Sequence, residues 1–107
     1  MKLCDAHQLA DGQTLSLDVA QRFHGYSLLL IRNGLVIKAY VNSCPHTGAP
    51  LDYPEGNFLT AEKDFIQCKI HGALFARETG ACISGPCPGE SLKQVPIEVI
   101  DGEVFLA

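Results

Sequence analysis

The sequence predicts an all-β domain, and three observations carry that expectation. Two turn dipeptides, Asn33-Gly34 and Asp101-Gly102, each sit between short runs of apolar and β-branched residues, the pattern of a β-hairpin. No long stretch repeats its apolar residues at the helical period. Between the hairpins lies a segment rich in Pro, Gly, Cys and His that reads as loops inserted into a β scaffold. At 107 residues the chain has the length of one domain, 1–107. With 47% hydrophobic and 19% charged residues it can bury a core. At this size a core gives modest stability, and a metal staple would add to it.

From the N-terminus, residues 2–4 suit a short strand and residues 6–10 one helical turn. Residues 14–19 alternate Leu15, Leu17 and Val19 with polar neighbours, as a half-buried strand does. Residues 27–32 and 35–41 form the first hairpin, with Asn33-Gly34 expected as a type I′ turn. Residues 42–56 contain three Pro and two Gly and are loop, while 65–67 and 74–76 are short apolar strands, the second followed by a turn at Glu78-Thr79-Gly80. Residues 84–89, Ser-Gly-Pro-Cys-Pro-Gly, are again loop. The closing hairpin runs from an alternating strand containing Val95, Ile97 and Val99 through Asp101-Gly102 to 103–106. Pro96 in that strand lacks an N–H donor, which places the strand at a sheet edge or turns that position away from its neighbour.

The formal charge of −4, with no concentration of Lys and Arg, argues against nucleic-acid binding led by phosphate neutralisation. Leu28-Leu29-Leu30-Ile31 is the longest strongly apolar run, far below the ~18 residues of a membrane helix. The opening residues show no apolar core of a secretory signal, so the expected address is cytoplasmic, with no membrane partner. In that reducing compartment the five Cys suggest metal ligation before disulfides.

Cys44-Pro45-His46-Thr47-Gly48 and Cys68-Lys69-Ile70-His71-Gly72 are two loops that each offer one thiolate and one imidazole. One such pair is a weak signal; two, each followed by Gly, are much rarer. Two thiolates and two imidazoles suit tetrahedral zinc or an iron–sulfur cluster with mixed ligands. On residue types alone both remain open.

The wider context, Cys44-Pro45-His46-Thr47-Gly48-Ala49-Pro50-Leu51, then Cys68-Lys69-Ile70-His71-Gly72-Ala73-Leu74-Phe75, then Thr79-Gly80 and Gly85-Pro86, closely resembles the Rieske [2Fe–2S] domain. The resemblance implies the Rieske fold: an antiparallel β-sandwich base with an inserted cluster-binding subdomain, about 42–89. It implies that Cys44 and Cys68 bind one iron and His46 and His71 the other, with Gly85-Pro86-Cys87-Pro88 matching a third loop that covers the cluster. It also implies a one-electron carrier without substrate chemistry of its own, a soluble Rieske-type ferredoxin. Its donor would be a flavin-dependent reductase and its acceptor an oxygenase. The rival readings are the small Rieske subunit of a nitrite reductase and a zinc-binding interaction module. An oxygenase would need a further mononuclear-iron domain, for which 107 residues leave no room.

Mixed ligation has an electrostatic consequence. Two ferric ions, two sulfides and two thiolates sum to zero, whereas four thiolates give −2, so reduction is easier. One charge at ~4 Å with an effective dielectric of ~20 is worth ~4 kcal/mol, very roughly 170 mV for one electron. Two such charges give the direction and scale separating Rieske centres, roughly −150 to +300 mV, from plant-type ferredoxins near −400 mV. Respiratory Rieske proteins add a disulfide and hydroxyl donors near the cluster. The matching positions here are Ala49, Ile70, Ala73 and Phe75, which predicts a potential at the lower end of the range. The imidazoles are also expected to lose protons in the alkaline range, so that the potential falls at high pH.

Twenty-one residues separate His46 from Cys68, a long spacer whose excess is expected within 52–64. Asp52, Glu55, Glu62 and Asp64 in it read either as a solvated face or as a docking patch for a basic partner. Cys82 and Cys87 are expected as thiols rather than a local disulfide. Cys4, His7 and His24 carry no motif and are assigned no function.

Overall fold

The computed structural model describes residues 2–18, 27–45, 48–52, 58–60, 62–68, 72–85 and 89–107. Ten strands follow one another: β1 (Lys2–Asp5), β2 (Thr14–Leu17), β3 (Leu28–Asn33), β4 (Val36–Val41), β5 (Phe65–Gln67), β6 (Leu74–Ala76), β7 (Cys82–Ser84), β8 (Gln94–Val95), β9 (Ile97–Ile100) and β10 (Glu103–Leu106). Among the described residues a single 3-10 turn, Ala6–Gln8, interrupts them after β1. They form three sheets with the orders β1-β10-β9, β2-β3-β4-β8 and β5-β6-β7. Every strand pairing is antiparallel. The expected all-β class and its sandwich base are both present. Among the described residues, no helix is long and apolar enough to cross a membrane.

The apolar run Leu28-Leu29-Leu30-Ile31 fails to alternate because β3 is buried on both faces. Leu28 and Leu30 turn into the base core, where they meet Ala39 and Val41 of β4, Val95 of β8, and Cys4 and Val104 from the facing sheet. Leu29 and Ile31 turn the other way and join Tyr40, Ile66, Phe75, Leu92 and both candidate cysteines, Cys44 and Cys68. The β3–β4 hairpin is therefore a wall shared by two cores. Each fully buried Leu or Ile contributes about 1.5–3 kcal/mol of burial free energy.

The first hairpin departs from its expected turn. Asn33 pairs with Val36, which leaves Gly34-Leu35 as the two loop residues. Gly34 has φ +63° while Leu35 is not among the residues of positive φ, the pattern of a type II′ turn rather than I′. The closing hairpin keeps its expected turn: Ile100 pairs with Glu103, and Asp101 and Gly102 have φ +51° and +76°, as type I′ requires. Pro96 does more than mark an edge. It divides the expected strand in two, β8 pairing with β4 and β9 with β10, so the chain changes sheets at the residue that cannot donate.

The end of the long spacer is a β-structured arm. Leu59 bridges Ile66, the Gln67 N–H donates to the Phe58 carbonyl at 2.8 Å, and the Thr60 N–H donates to the Phe65 carbonyl at 3.0 Å. Residues 58–60 thus extend the third sheet beyond β5. Lys63, in the turn of this arm, has φ +63°. Val19 and His24 lie outside the described residues.

Candidate metal centre

The first candidate loop leaves the buried end of β4 and the second joins β5 to β6. Cys44 is 1% exposed and Cys68 fully buried, and both belong to one packed group with Leu51, Phe58, Ile66, Ala73 and Phe75. The two cysteine backbones are held by the same pair of hydrogen bonds. The Cys44 N–H donates to the Ala49 carbonyl at 2.8 Å, and the Gly48 N–H returns to the Cys44 carbonyl at 2.7 Å. In the second loop, Cys68 N–H donates to Ala73 O at 2.9 Å and Gly72 N–H to Cys68 O at 2.8 Å. Gly48 and Gly72, each four residues after its cysteine, have φ +78° and +72°. Both are left-handed positions that glycine enters without a Cβ penalty.

The backbone repeats a frame that the sequence spacing only hints at. Cys-x-His and Cys-x-x-His differ, yet cysteine, glycine and the residue after glycine occupy matching places in both loops. His46 and His71 fall inside these frames but outside the described residues, as does Cys87. The structure therefore brings the two cysteines together, and the imidazole half of the expected donor set stays an expectation.

A third segment lies against the second loop. A Cβ built on Gly85 would stand 2.7 Å from the Cα of Ala73, and Gly85 has φ +103°. Behind the centre, the fully buried Tyr40 donates its hydroxyl to the Arg77 carbonyl at 3.1 Å. Burial pushes its phenol up to about 12, assisted by the Glu78 carboxylate. Arg77 ties the neighbouring pieces together through Nη1 to the Lys63 carbonyl at 2.9 Å and Nη2 to the Arg32 carbonyl at 3.3 Å.

Around the first loop, Asn42 is 4% exposed and accepts the Leu51 N–H at its Oδ1 at 2.7 Å. Its Nδ2 donates to Ser27 Oγ and to Asp52 Oδ1, both at 3.0 Å. The sequence marked Asn42 only as the start of a loop. Asp52, grouped with the spacer acids, is turned inward to Asn42, whereas Glu62 and Asp64 are exposed and Glu55 lies outside the described residues. The Cys82 thiol donates to the Ser84 carbonyl at 3.5 Å. The remaining Cys4 is buried in the base, with its thiol pushed up by burial and by Asp5.

The donor chemistry fits a metal–sulfur group. Two sulfurs set in an apolar pocket are favourable as thiolates only beside compensating cations, since an isolated buried charge is strongly disfavoured. The paired glycines keep each cysteine loop tight without side-chain bulk at those positions.

Fold and paired loops together define a small β protein built around a metal centre. The family model for the Rieske [2Fe–2S] domain matches residues 1–98. The ferredoxin CarAc of Metapseudomonas resinovorans is 32% identical over 107 residues, covering 100% of this chain and 92% of that protein. The cholesterol 7-desaturase of Caenorhabditis elegans is 33% identical over 86 residues, 78% of this chain but only 18% of the desaturase. Among solved structures, the ferredoxin of carbazole 1,9a-dioxygenase from Nocardioides aromaticivorans IC177 superposes with a TM-score of 0.75 at 28% identity, covering 100% of this chain and 95% of that one. A chain from the complex of reduced oxygenase and oxidized ferredoxin in carbazole 1,9a-dioxygenase gives 0.77 at 30% identity, covering 100% and 91%.

The chain belongs to the Rieske [2Fe–2S] domain family. Its cofactor is a Rieske-type [2Fe–2S] cluster, and within the family it is a ferredoxin-type electron carrier.

Proposed function

We propose that this protein carries single electrons from a flavin-dependent reductase to the terminal oxygenase of a ring-hydroxylating system, acting in the cytoplasm as one Rieske domain, 1–107. Cys44 and Cys68 bind the inner iron in this reading, His46 and His71 the outer one, and residues 42–89 form the cluster-binding part. Coverage carries the reading: the chain aligns with nearly the whole of two ferredoxins but with less than a fifth of the desaturase.

When bound, the cluster supplies a one-electron couple whose oxidised form is electrically neutral with two thiolates and two imidazoles. The protein supplies the surroundings. Cys44 and Cys68 are closed off from water by Leu51, Phe58, Ala73 and Phe75, which lowers the local dielectric on the cysteine side. The matched backbone frames hold both sulfurs at fixed places without strand movement, which keeps reorganisation on the protein side small. Ala73 and Phe75, fully buried, present no hydroxyl to the site, in keeping with a low potential for the class.

The experiment is reconstitution of electron flow. Purified holoprotein, a flavin reductase with NADH and a Rieske oxygenase are mixed and product formation is followed. The reading requires turnover that depends on this protein and is abolished in Cys44→Ser and Cys68→Ser. Reduction by the reductase without any transfer to oxygenases, at full cluster content, would contradict the acceptor.

A further inference from the structure

We propose that Asn42 is the positioning residue of the first ligand loop, its side-chain amide doing there what a strand pair does for the second loop. The inference rests on the reading that the Cys44 and Cys68 loops hold the cluster. The second loop is closed by ordinary sheet pairing. Gln67 and Leu74 flank it as register partners, and one step further out Ile66 pairs with Phe75. Ile66 lies two residues before Cys68 and Phe75 two after Ala73. The same offsets from Cys44 and Ala49 arrive at Asn42 and Leu51.

No strand is available at that place in the first loop. β4 ends at Val41, and the described residues 42–45 and 48–52 contain no strand. Leu51 is fully buried, so its N–H has no water to turn to and needs an acceptor from the chain. Asn42 Oδ1 is that acceptor, at 2.7 Å, while the Asn42 backbone N–H donates to the Ser27 carbonyl at 2.9 Å and anchors the residue to the segment entering β3. Nδ2 then reaches both Ser27 Oγ and Asp52 Oδ1 at 3.0 Å, which fixes the amide orientation, because a carboxylate accepts and a backbone N–H donates. Asn42 is the one buried polar residue among those described. A buried amide with every bond made specifies a single arrangement; the same position without it leaves the Leu51 N–H unpaired. The loop carrying Cys44 is thus clamped across residues 42–52 by a side chain rather than by a ladder.

The test compares Asn42→Ala with Val104→Ala, a core truncation in the base whose buried group does not include Cys44, Leu51 or Cys68, at temperatures where the two have lost equal stability. The cluster-loaded proteins are mixed with an iron chelator and the decay of visible absorption is timed. In the same cluster-loaded proteins, before the chelator is added, the exchange of the Leu51 amide is compared with that of Gln67. Clamping by Asn42 requires cluster loss on the order of tenfold faster in Asn42→Ala than in Val104→Ala, with the Leu51 amide deprotected and Gln67 unchanged. Equal rates of loss, or an unaltered Leu51 amide, overturn the proposal. A wild-type protein that takes up no cluster would bring down the ligand reading instead, and the amide exchange would still decide the closure. A second pair covers the case in which Asn42→Ala does not fold. Asn42→Asp sets a carboxylate against Asp52 and weakens the loop; adding Asp52→Asn exchanges donor and acceptor and restores slow cluster loss. No restoration in that double variant also overturns the proposal.

Discussion

Gly85 rests directly on the backbone of Ala73: a single added carbon would stand 2.7 Å from the Ala73 Cα and 3.1 Å from its Cβ. The segment leaving β7 therefore touches the second ligand loop at the residue whose carbonyl receives the Cys68 N–H. Gly85→Ala forces one of the two backbones to move, in addition to straining a φ of +103°. A stability loss of about 2–4 kcal/mol is expected, with faster cluster release. Gly72→Ala is the comparison, since among the described residues nothing lies within 4 Å of its added Cβ, while the backbone conformation at φ +72° opposes it at about 1–2 kcal/mol. Chemical denaturation of both variants checks the order; equal losses would deny the contact its role.

Tyr40 predicts the alkaline limit. Its phenol is pushed from the ordinary value of 10.0 to about 12 by burial first and by Glu78 second. A folded-state value above the unfolded one means that the native protein holds the proton longer. The associated stability is complete below about pH 10 and is lost as pH rises from there towards 12. Tyr40→Phe removes this pH dependence while sacrificing the hydroxyl bond to the Arg77 carbonyl, at about 1 kcal/mol near neutrality. Denaturation midpoints of wild type and variant between pH 8 and about 12 measure both effects.

Arg77 joins the spacer arm to the second sheet, through the Lys63 carbonyl on one side and the Arg32 carbonyl on the other. Arg77→Met removes the donor to the Lys63 carbonyl and leaves the Arg32 carbonyl with the Gly12 N–H at 2.9 Å, and is expected to lower stability by about 1–2 kcal/mol. Arg77→Lys recovers only part, because an ammonium cannot span two acceptors as a planar fork does. Lys63→Gly should instead stabilise by up to about 1 kcal/mol, as Lys63 sits at φ +63°. Thermal unfolding of the three variants checks the signs.

The sequence was most informative where a local pattern coincides with burial. Phe65-Ile66-Gln67 and Leu74-Phe75-Ala76 become β5 and β6 at their expected boundaries because each centres on a buried residue, Ile66 or Phe75, between half-buried neighbours. Asp101-Gly102 sets its own turn for the same local reason. Asn33-Gly34 misleads by one residue, and a distant group takes part in that turn: the Gly34 N–H donates to Asp11 Oδ1 at 2.7 Å, while Arg32 Nε, two residues back, donates to the Gly34 carbonyl at 2.9 Å. Pro96 announces an edge but not a change of sheet, which depends on where β4 and β10 lie. In the centre, Cys44 and Cys68 stand out through their spacing. The partner of Asn42 does not, because no local feature of residues 48–52 reveals that Leu51 is buried without a strand beside it.

The charge argument yields a prediction for His71, one of the two imidazoles in the proposed ligand set. Replacing His71 by Cys adds one negative ligand charge to an intact cluster. The midpoint potential should move negative by very roughly 170 mV at most, on the same ~4 Å and ~20 dielectric basis as above. Protein-film voltammetry reads it, and an unchanged or raised potential in a fully loaded variant would contradict the electrostatic account.

The most direct measurement is pulsed EPR of the dithionite-reduced protein, taken with iron, sulfide and zinc assays on the same sample. Iron and acid-labile sulfide in equal amounts, with hyperfine coupling from two imidazole nitrogens that is lost on replacing His46 and His71, is the predicted result. Zinc in place of iron, or a paramagnet coupled to no nitrogen, would contradict the centre on which the account stands.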